Sequence, residues 1–458
     1  MDPIEQSCFW LAGLPPRDTR ALAARADAEI AIVGAGFTGL WTAIFLKQLE
    51  PGLDVAVVEQ GIAAYGASGR NAGMLSETVD HSHGLAIQHF GLEEARRLSA
   101  LGETNVAELA AFLVERGIDC GYEPTGRLLV ALTPAHLEES HRTVALAREL
   151  GLTTWRFLDQ AAMRAEVHSP LYQGGVAVQG GGILDPARLT DGLRQEAERL
   201  GVRVFERSPV SAVEPDGDGV VVRTGQGRLH ARRAVLATSA YTHHLLPGIT
   251  WRFIPLYDYI LVSEPLTSAQ LATIGWQGRQ GITDGRTFFN YYRLTADNRV
   301  LWGTSEAAYY AGNSVGPAHD HSPPHYQSLE ASWRRHFPQL ADLRWTHRWG
   351  GAICSTTRMT PFFGHAHGGR VLYGLGFTGH GVGTTRIAGR ILAHLALERS
   401  SELLQLSLVT HRPFPYPPEP LRGLAVNAVT RALRRVDAGE APNLMLRVLD
   451  RLGIGFSS

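Results

Sequence analysis

Apolar and polar residues change rhythm several times along the chain, and each change predicts an element. Ile30 to Val33 is a short apolar run that meets glycines at Gly34, Gly36 and Gly39. Leu40 to Leu49 is amphipathic, and Val55 to Val58 is a second apolar run ending in Glu59. The order is strand, tight turn, helix, strand, acidic residue. Residues 92–117 carry apolar side chains at helical spacing, and another helix is predicted after Pro134. GGGILDPARL (180–189) leads by a helix into GVRVFERSPVSAVE, and RRAVLATSAYTHHLLP fills 232–247. Alternating large residues in 252–266, 286–298 and 299–306 predict a sheet with one face lining a pocket. In VLYGLGFTGHGVGTTRIA (371–388) a strand again runs into a glycine turn, with a helix predicted over Thr385–Leu397. Beyond 402 come a Pro-rich linker (412–420) and two short amphipathic helices, free by their pattern to dock on the same subunit or on a partner.

The glycine spacing has a chemical meaning. Gly34 permits the turn, Gly36 lets a pyrophosphate approach the backbone, and Gly39 lets the helix pack close on the strand. The helix N-terminus, at Phe37 and Thr38, offers N–H groups and partial positive charge to phosphates. Glu59 stands where a carboxylate accepts hydrogen bonds from a ribose. FAD and NAD share this fingerprint. The loop Gly66-Ala67-Ser68-Gly69-Arg70-Asn71-Ala72-Gly73 favours FAD, because small residues can pass against a flat ring system and a pyrophosphate. Ser68 and Asn71 would donate hydrogen bonds and Arg70 would supply charge. The turn Gly376 to Val382, with Thr378, Gly379, His380 and Gly381, aims a second helix N-terminus at the ligand, which suits an electron-rich flavin.

GAGFTGL, GASGRNAG and GFTGHG, in this order, resemble the FAD-dependent D-amino-acid oxidase superfamily, which includes sarcosine and glycine oxidases. The arm with Phe9-Trp10 and the tail from Pro413-Phe414-Pro415 are similar to the γ-glutamylputrescine oxidoreductase-like branch. The resemblance implies an α/β fold: a Rossmann-like, glutathione-reductase-type FAD domain with an interleaved α+β substrate domain on a mainly antiparallel sheet. Its expected boundaries are 1–80, 181–247 and 346–402 for FAD, 81–180 and 248–345 for substrate, and 403–458 for the tail. It places Val210 and Thr238 by the adenine half of FAD and His380 at the ring end. It also implies loss of a hydride from a carbon bearing nitrogen to flavin N5, an imine that hydrolyses, and O2 or another acceptor for the electrons. In sarcosine oxidases a cysteine near the position of Cys354 is bonded to the flavin. Arg358 stands here where many relatives carry an aspartate, so non-covalent FAD is the favoured expectation and a link through Cys354 the alternative. Lys47 is the only lysine, so the lysine that sarcosine-oxidase-like enzymes place beside the flavin has no counterpart. Oxidase and dehydrogenase therefore stay open.

Composition narrows the remaining classes. A chain of 458 residues can hold two lobes, and a net charge of −1 gives no reason to expect nucleic acid. Three scattered cysteines and a polar, acidic start without a signal peptide point to a cytoplasmic protein. The longest apolar stretch is broken by the glycine turn, so no membrane span is expected. The histidine pairs lack a third ligand, and no metal is expected. Trp251, Tyr257, Tyr259, Phe288, Phe289, Tyr291, Tyr292 and Trp302 are candidate pocket walls, about half of them facing inward by alternation. Arg293 is the candidate anchor for a substrate carboxylate or phosphonate, with Arg286 second. His380, Arg293 and Tyr259 are thus the catalytic candidates, and His81 or His83 could also reach the pocket. A hydroxy-acid or polyol dehydrogenase using His380 or His81 as base, and a non-catalytic electron-relay subunit docking through its tail, remain open readings.

Overall fold

In a computed structural model, which describes residues 3–79 and 82–454, two eight-stranded sheets carry the chain. The first is built on Arg25–Val33, whose inner half Ile30 to Val33 is fully apolar and buried. It pairs in parallel with Val55–Val58 on one side and Arg228–Leu236 on the other. Arg203–Phe205 and Val371–Leu375 extend the parallel core outward. The antiparallel ribbon Val210–Asp216 and Gly219–Thr224 joins at Arg228–Leu236, and Phe362–Ala366 closes the far edge. Continuous apolar runs are what a parallel sheet covered on both faces requires.

The helix Phe37–Leu49 starts three residues earlier than its hydrophobic pattern predicts. Nearly all of its side chains are buried, because Pro186–Arg199 and Gly381–Leu397 both pack on it. A Cβ on Gly389 would stand 2.5 Å from Trp41 Cβ, so that glycine sets the approach of the two helices.

The second sheet runs Trp345–Ser355, Ile254–Pro265, Arg299–Ala308, Asn290–Leu294, Gly281–Asp284, Arg127–Ala131, Gly174–Val178, Trp155–Asp159. Every neighbouring pair is antiparallel except Gly281–Asp284 with Arg127–Ala131. The segment expected to be helix-rich, 81–180, does contain Leu92–Arg116 and Pro134–Glu149, and it also gives three strands to this sheet. Trp345–Ser355 belongs here too, so the sheet changes after this strand and not at residue 346; the chain rejoins the first sheet at Phe362. The tail helix Leu421–Asp437 docks on the same chain beside the second sheet, through Thr287 and Glu306, and Leu444–Arg451 packs on it and reaches Gln88. No helix among the described residues is long and apolar enough to cross a membrane.

Candidate functional site

The site begins where Arg25–Val33 ends. Gly34 has φ 107°, and a Cβ there would fall 2.7 Å from the Ala237 carbonyl oxygen. A Cβ on Gly39 would fall 1.9 Å from the Gly34 oxygen, so the helix can start directly beneath the turn only with glycine there. Phe37 N–H donates to Ser68 Oγ at 2.9 Å, which ties this helix end to the Gly66–Gly73 loop. Glu59 accepts from Ala35 N–H at 2.8 Å and from Gly61 N–H at 2.9 Å. Burial pushes its carboxyl above the usual range, and those two bonds oppose the rise.

In the loop, Asn71 accepts from Gly73 N–H at 2.8 Å and donates to the Ser68 oxygen at 2.9 Å, so its amide holds the loop itself. Arg70 is buried. Its Nε donates to the Tyr65 oxygen at 2.7 Å and its Nη1 to Asp320 Oδ1 at 2.8 Å. The charge expected for a ligand is therefore already paired within the chain, while Nη2 has no hydrogen-bond partner among the described residues.

The third turn follows Val371–Leu375. Gly376 and Gly379 have φ 90° and 89°, and His380 precedes the helix Gly381–Leu397, which begins four residues before the predicted Thr385. Burial, reinforced by Arg127, pushes the His380 imidazole down to about 4, so it is neutral near pH 7. Cys354, at the end of Trp345–Ser355, accepts on its carbonyl oxygen from Thr378 N–H at 3.1 Å. Burial holds its thiol far above the ordinary range.

One cavity of about 740 Å³ joins these parts. It is lined by Gly34, Gly36, Phe37, Thr38 and Glu59, by Ser68, Arg70, Asn71 and Ala72, and by Thr378, Gly379, His380, Gly381 and Val382. Val210, Thr238 and Cys354 line it as well. Gly39, Gly69, Gly73 and Gly376 do not; they pack behind the wall, where a Cβ would meet chain atoms at 1.9, 2.2, 2.0 and 2.5 Å. Gly66 and Gly379 are wall positions with nothing within 4 Å of an added Cβ, so the wall there is bare backbone. A helix N-terminus, a glycine wall and a carboxylate beside the turn fit a dinucleotide such as FAD.

Past the turns the wall becomes the second sheet. Ile254, Leu256, Asp258 and Ile260 face the cavity along one strand, with Phe288, Phe289 and Tyr291 beside them. Tyr259 is on the opposite face of its strand, a correction to its expected place. Its ring stacks on His325 at 4.6 Å, and its hydroxyl meets Tyr310 Oη at 2.8 Å and the His319 oxygen at 3.0 Å. Tyr257, Tyr292, Trp302 and Trp251 are also outside the lining, so three of the eight candidate aromatics reach it.

Arg293 is a second correction. It shares Tyr291's face by alternation, but Gly73, Leu184 and Trp10 cover it. Nη1 donates to the Gly73 oxygen at 2.9 Å and the Leu184 oxygen at 2.5 Å, and Nε to the Leu294 oxygen at 3.0 Å. The cation sits 5.3 Å from the Trp10 ring centroid, and burial pushes it down to about 9. It therefore staples the N-terminal arm and lies outside the cavity lining. Arg286 is held by Asp284 at 2.7 Å, also outside the lining. His83 is buried edge-on to Trp155 at 5.0 Å and outside the lining, and His81 lies outside the described residues. Lys47 donates to the Pro51 and Leu53 oxygens at 2.6 and 2.8 Å, away from the cavity.

Two parts of the site were not anticipated. Asp258 is a cavity-facing carboxylate whose signal was an acid in phase with apolar residues in IPLYDYILV. The tail closes the remaining side: Arg422, Ala425, Val426, Val429, Thr430 and Leu433 form one face of Leu421–Asp437 and line the cavity. Among the described residues no group of three His, Cys, Asp or Glu could hold a metal ion.

A family model described as FAD dependent oxidoreductase (DAO) matches residues 29–395. The γ-glutamylputrescine oxidoreductase of Escherichia coli strain K12 is 31% identical over 389 residues, covering 84% of this chain and 88% of that protein. The glycine oxidase of Bacillus subtilis strain 168 is 20% identical over 375 residues, 81% of this chain and 93% of that protein. Among solved structures, glycine oxidase from Geobacillus kaustophilus is similar with a TM-score of 0.68 at 21% identity, over 84% of this chain and 99% of that one. L-proline dehydrogenase from P. horikoshii has a TM-score of 0.67 at 17% identity, over 83% and 96%.

Proposed function

The chain belongs to the FAD dependent oxidoreductase (DAO) family, and from that premise we propose that it oxidises a carbon–nitrogen bond of a small amine or amino-acid derivative, giving an imine that water hydrolyses to an aldehyde or keto product. Bound in the cavity, FAD supplies the acceptor for the hydride that leaves the carbon carrying nitrogen. Gly34, Gly36, Phe37 and Thr38 would hold the pyrophosphate, Glu59 the ribose, Val210 and Thr238 the adenine half, and Ser68 to Ala72 with Thr378 to Val382 the ring half.

The rest is done by the chain's own walls. Ile254, Leu256, Ile260, Phe288 and Phe289 exclude water and disfavour an ammonium, so the reacting amine is held neutral. His380, kept neutral by its burial, adds no positive charge there. The tail face from Arg422 to Leu433 covers the opening and keeps water from the reacting carbon. The observation that carries this reading is the continuity of one cavity from the three glycine turns to the apolar wall. Similarity to an amine-acting relative supports the choice of donor.

Anaerobic addition of amines and of hydroxy acids to the yellow protein tests it. Bleaching of the flavin absorbance by amines is the expected result. Bleaching by hydroxy acids alone would replace the reading with an alcohol dehydrogenase, and bleaching by neither would leave an electron-relay protein. Peroxide formed per turnover in air, against dye reduction without it, then identifies the electron acceptor.

A further inference from the structure

Resting on the amine-oxidation reading, we propose that Asp258 binds a second, non-reacting cationic group of the substrate, so that the site prefers diamines or longer polyamines to monoamines and α-amino acids. Asp258 faces the cavity in phase with Leu256 and Ile260. Its Oδ1 accepts from Tyr259 N–H at 2.7 Å and its Oδ2 from the Tyr291 hydroxyl. Each carboxylate oxygen thus receives a donor, which organises the ionised form. The residue across the ladder is Gly351, and Ser305 and Ala307 line the cavity from the other neighbouring strand. Small residues on both sides leave room beside the carboxylate.

Its charge has no cationic partner among the described residues. Buried Glu5, Glu77, Asp191, Glu206, Asp284 and Asp320 each have an arginine within 3.0 Å. Asp258 forms no ion pair among the described residues, and burial pushes its carboxyl up to about 7. A desolvated carboxylate without a cation is costly, and a ligand ammonium relieves that cost. Glu59, the other carboxylate in the lining, already accepts two backbone N–H groups at the first turn.

The cavity arginines show the converse. Arg70 is paired with Asp320 at 2.8 Å, Arg127 with Glu77 at 3.0 Å, and Arg422 donates to Asn313 Oδ1 at 2.8 Å and the Pro417 oxygen at 3.0 Å. With Arg293 outside the wall, each arginine among the described lining residues already commits part of its guanidinium to the chain. Asp258 suits a non-reacting group, because a carboxylate beside the reacting nitrogen would keep it protonated and oppose hydride loss.

The test uses the FAD-loaded enzyme with pentylamine, 1,5-diaminopentane and 5-aminopentanoate. The expected kcat/KM for the diamine exceeds that for the monoamine by about 10- to 100-fold, the worth of a hydrogen bond to a charged group, and the carboxylate-bearing amine is the poorest. In Asp258→Asn the diamine-to-monoamine ratio falls to near one, while Asp258→Glu keeps part of it. Calorimetry with 2,5-dimethylhexane-2,5-diamine, whose amine-bearing carbons have no hydrogen to lose, should show binding to the parent enzyme and at least tenfold weaker binding to Asp258→Asn. A ratio near one in the unaltered enzyme overturns the assignment while amine oxidation stands. Bleaching by no amine removes the reading beneath it and the assignment together.

Discussion

Single residues decide whether the turns can exist. The Gly39 Cα lies so close to the Gly34 carbonyl that one methyl group would overlap it. Gly39→Ala should cost about 1–3 kcal/mol and lower the flavin-to-protein absorbance ratio of the purified enzyme; denaturant unfolding together with that ratio checks both. Histidines that are buried or partly buried set the acid limit. His83, His89, His243 and His380 are each pushed down from the ordinary 6.5 to about 4 by burial. Between those values the unfolded chain binds more protons than the folded one, so stability rises with pH across the window. It is fully present above about pH 6.5 and is lost progressively as pH falls towards 4. The thermal midpoint measured from pH 7.5 to 4 should decline through that range. A histidine-to-asparagine change at His83, which lies outside the cavity wall, should flatten part of the decline.

At the scale of elements, the tail is a wall of the cavity held by a few polar contacts. Asp437 accepts from Thr287 N–H at 2.7 Å and from Phe288 N–H at 2.9 Å, fastening Leu421–Asp437 to the segment that carries cavity-facing Phe288. Arg434 donates to Glu306 at 2.6 Å nearby. Farther back, Arg358, which stands where many relatives carry an aspartate, donates to the His411 oxygen at 3.0 Å and so anchors the start of the linker. Losing a hydrogen-bonded carboxylate costs about 1.5–3 kcal/mol. Asp437→Ala should therefore speed amide hydrogen exchange across 421–451 by roughly 10- to 100-fold and raise KM, with the first sheet's exchange unchanged. Equal exchange in parent and variant would mean that the Asp437 contacts do not hold the helix.

For the whole molecule, the cofactor site exists only while the chain is folded, because the turn at 376–382 lies about three hundred residues beyond the turns at 34–39 and 66–73. FAD binding is then part of stability. Saturation at a hundred times Kd adds about 2.7 kcal/mol, so added FAD should raise the melting midpoint of flavin-stripped protein. Denaturation should release the flavin to a filtrate, since Cys354 is held as a neutral thiol and the thiolate is the reactive form. Colour retained by the denatured chain would instead reveal a link. The glycine turns, their strands and the helices at 37–49, 92–116 and 381–397 were legible in sequence because each depends on neighbours a few residues apart. Periodicity also showed which residues of 254–265 share a face. It could not say which face meets the cavity, and so Tyr259 was expected there while Asp258, on the other face, was not singled out. Arg293 lay on the right face, but the cover supplied by Gly73, Leu184 and Trp10 comes from distant segments. The sequence by itself determined the local geometry of the turns, the sheet-forming and helix-forming segments and the family, since these follow from spacing and backbone sterics. Only the tertiary structure decided which charges are already paired, which strand face lines the cavity and where the tail rests, because burial and partner choice depend on segments that meet only when the whole chain has folded.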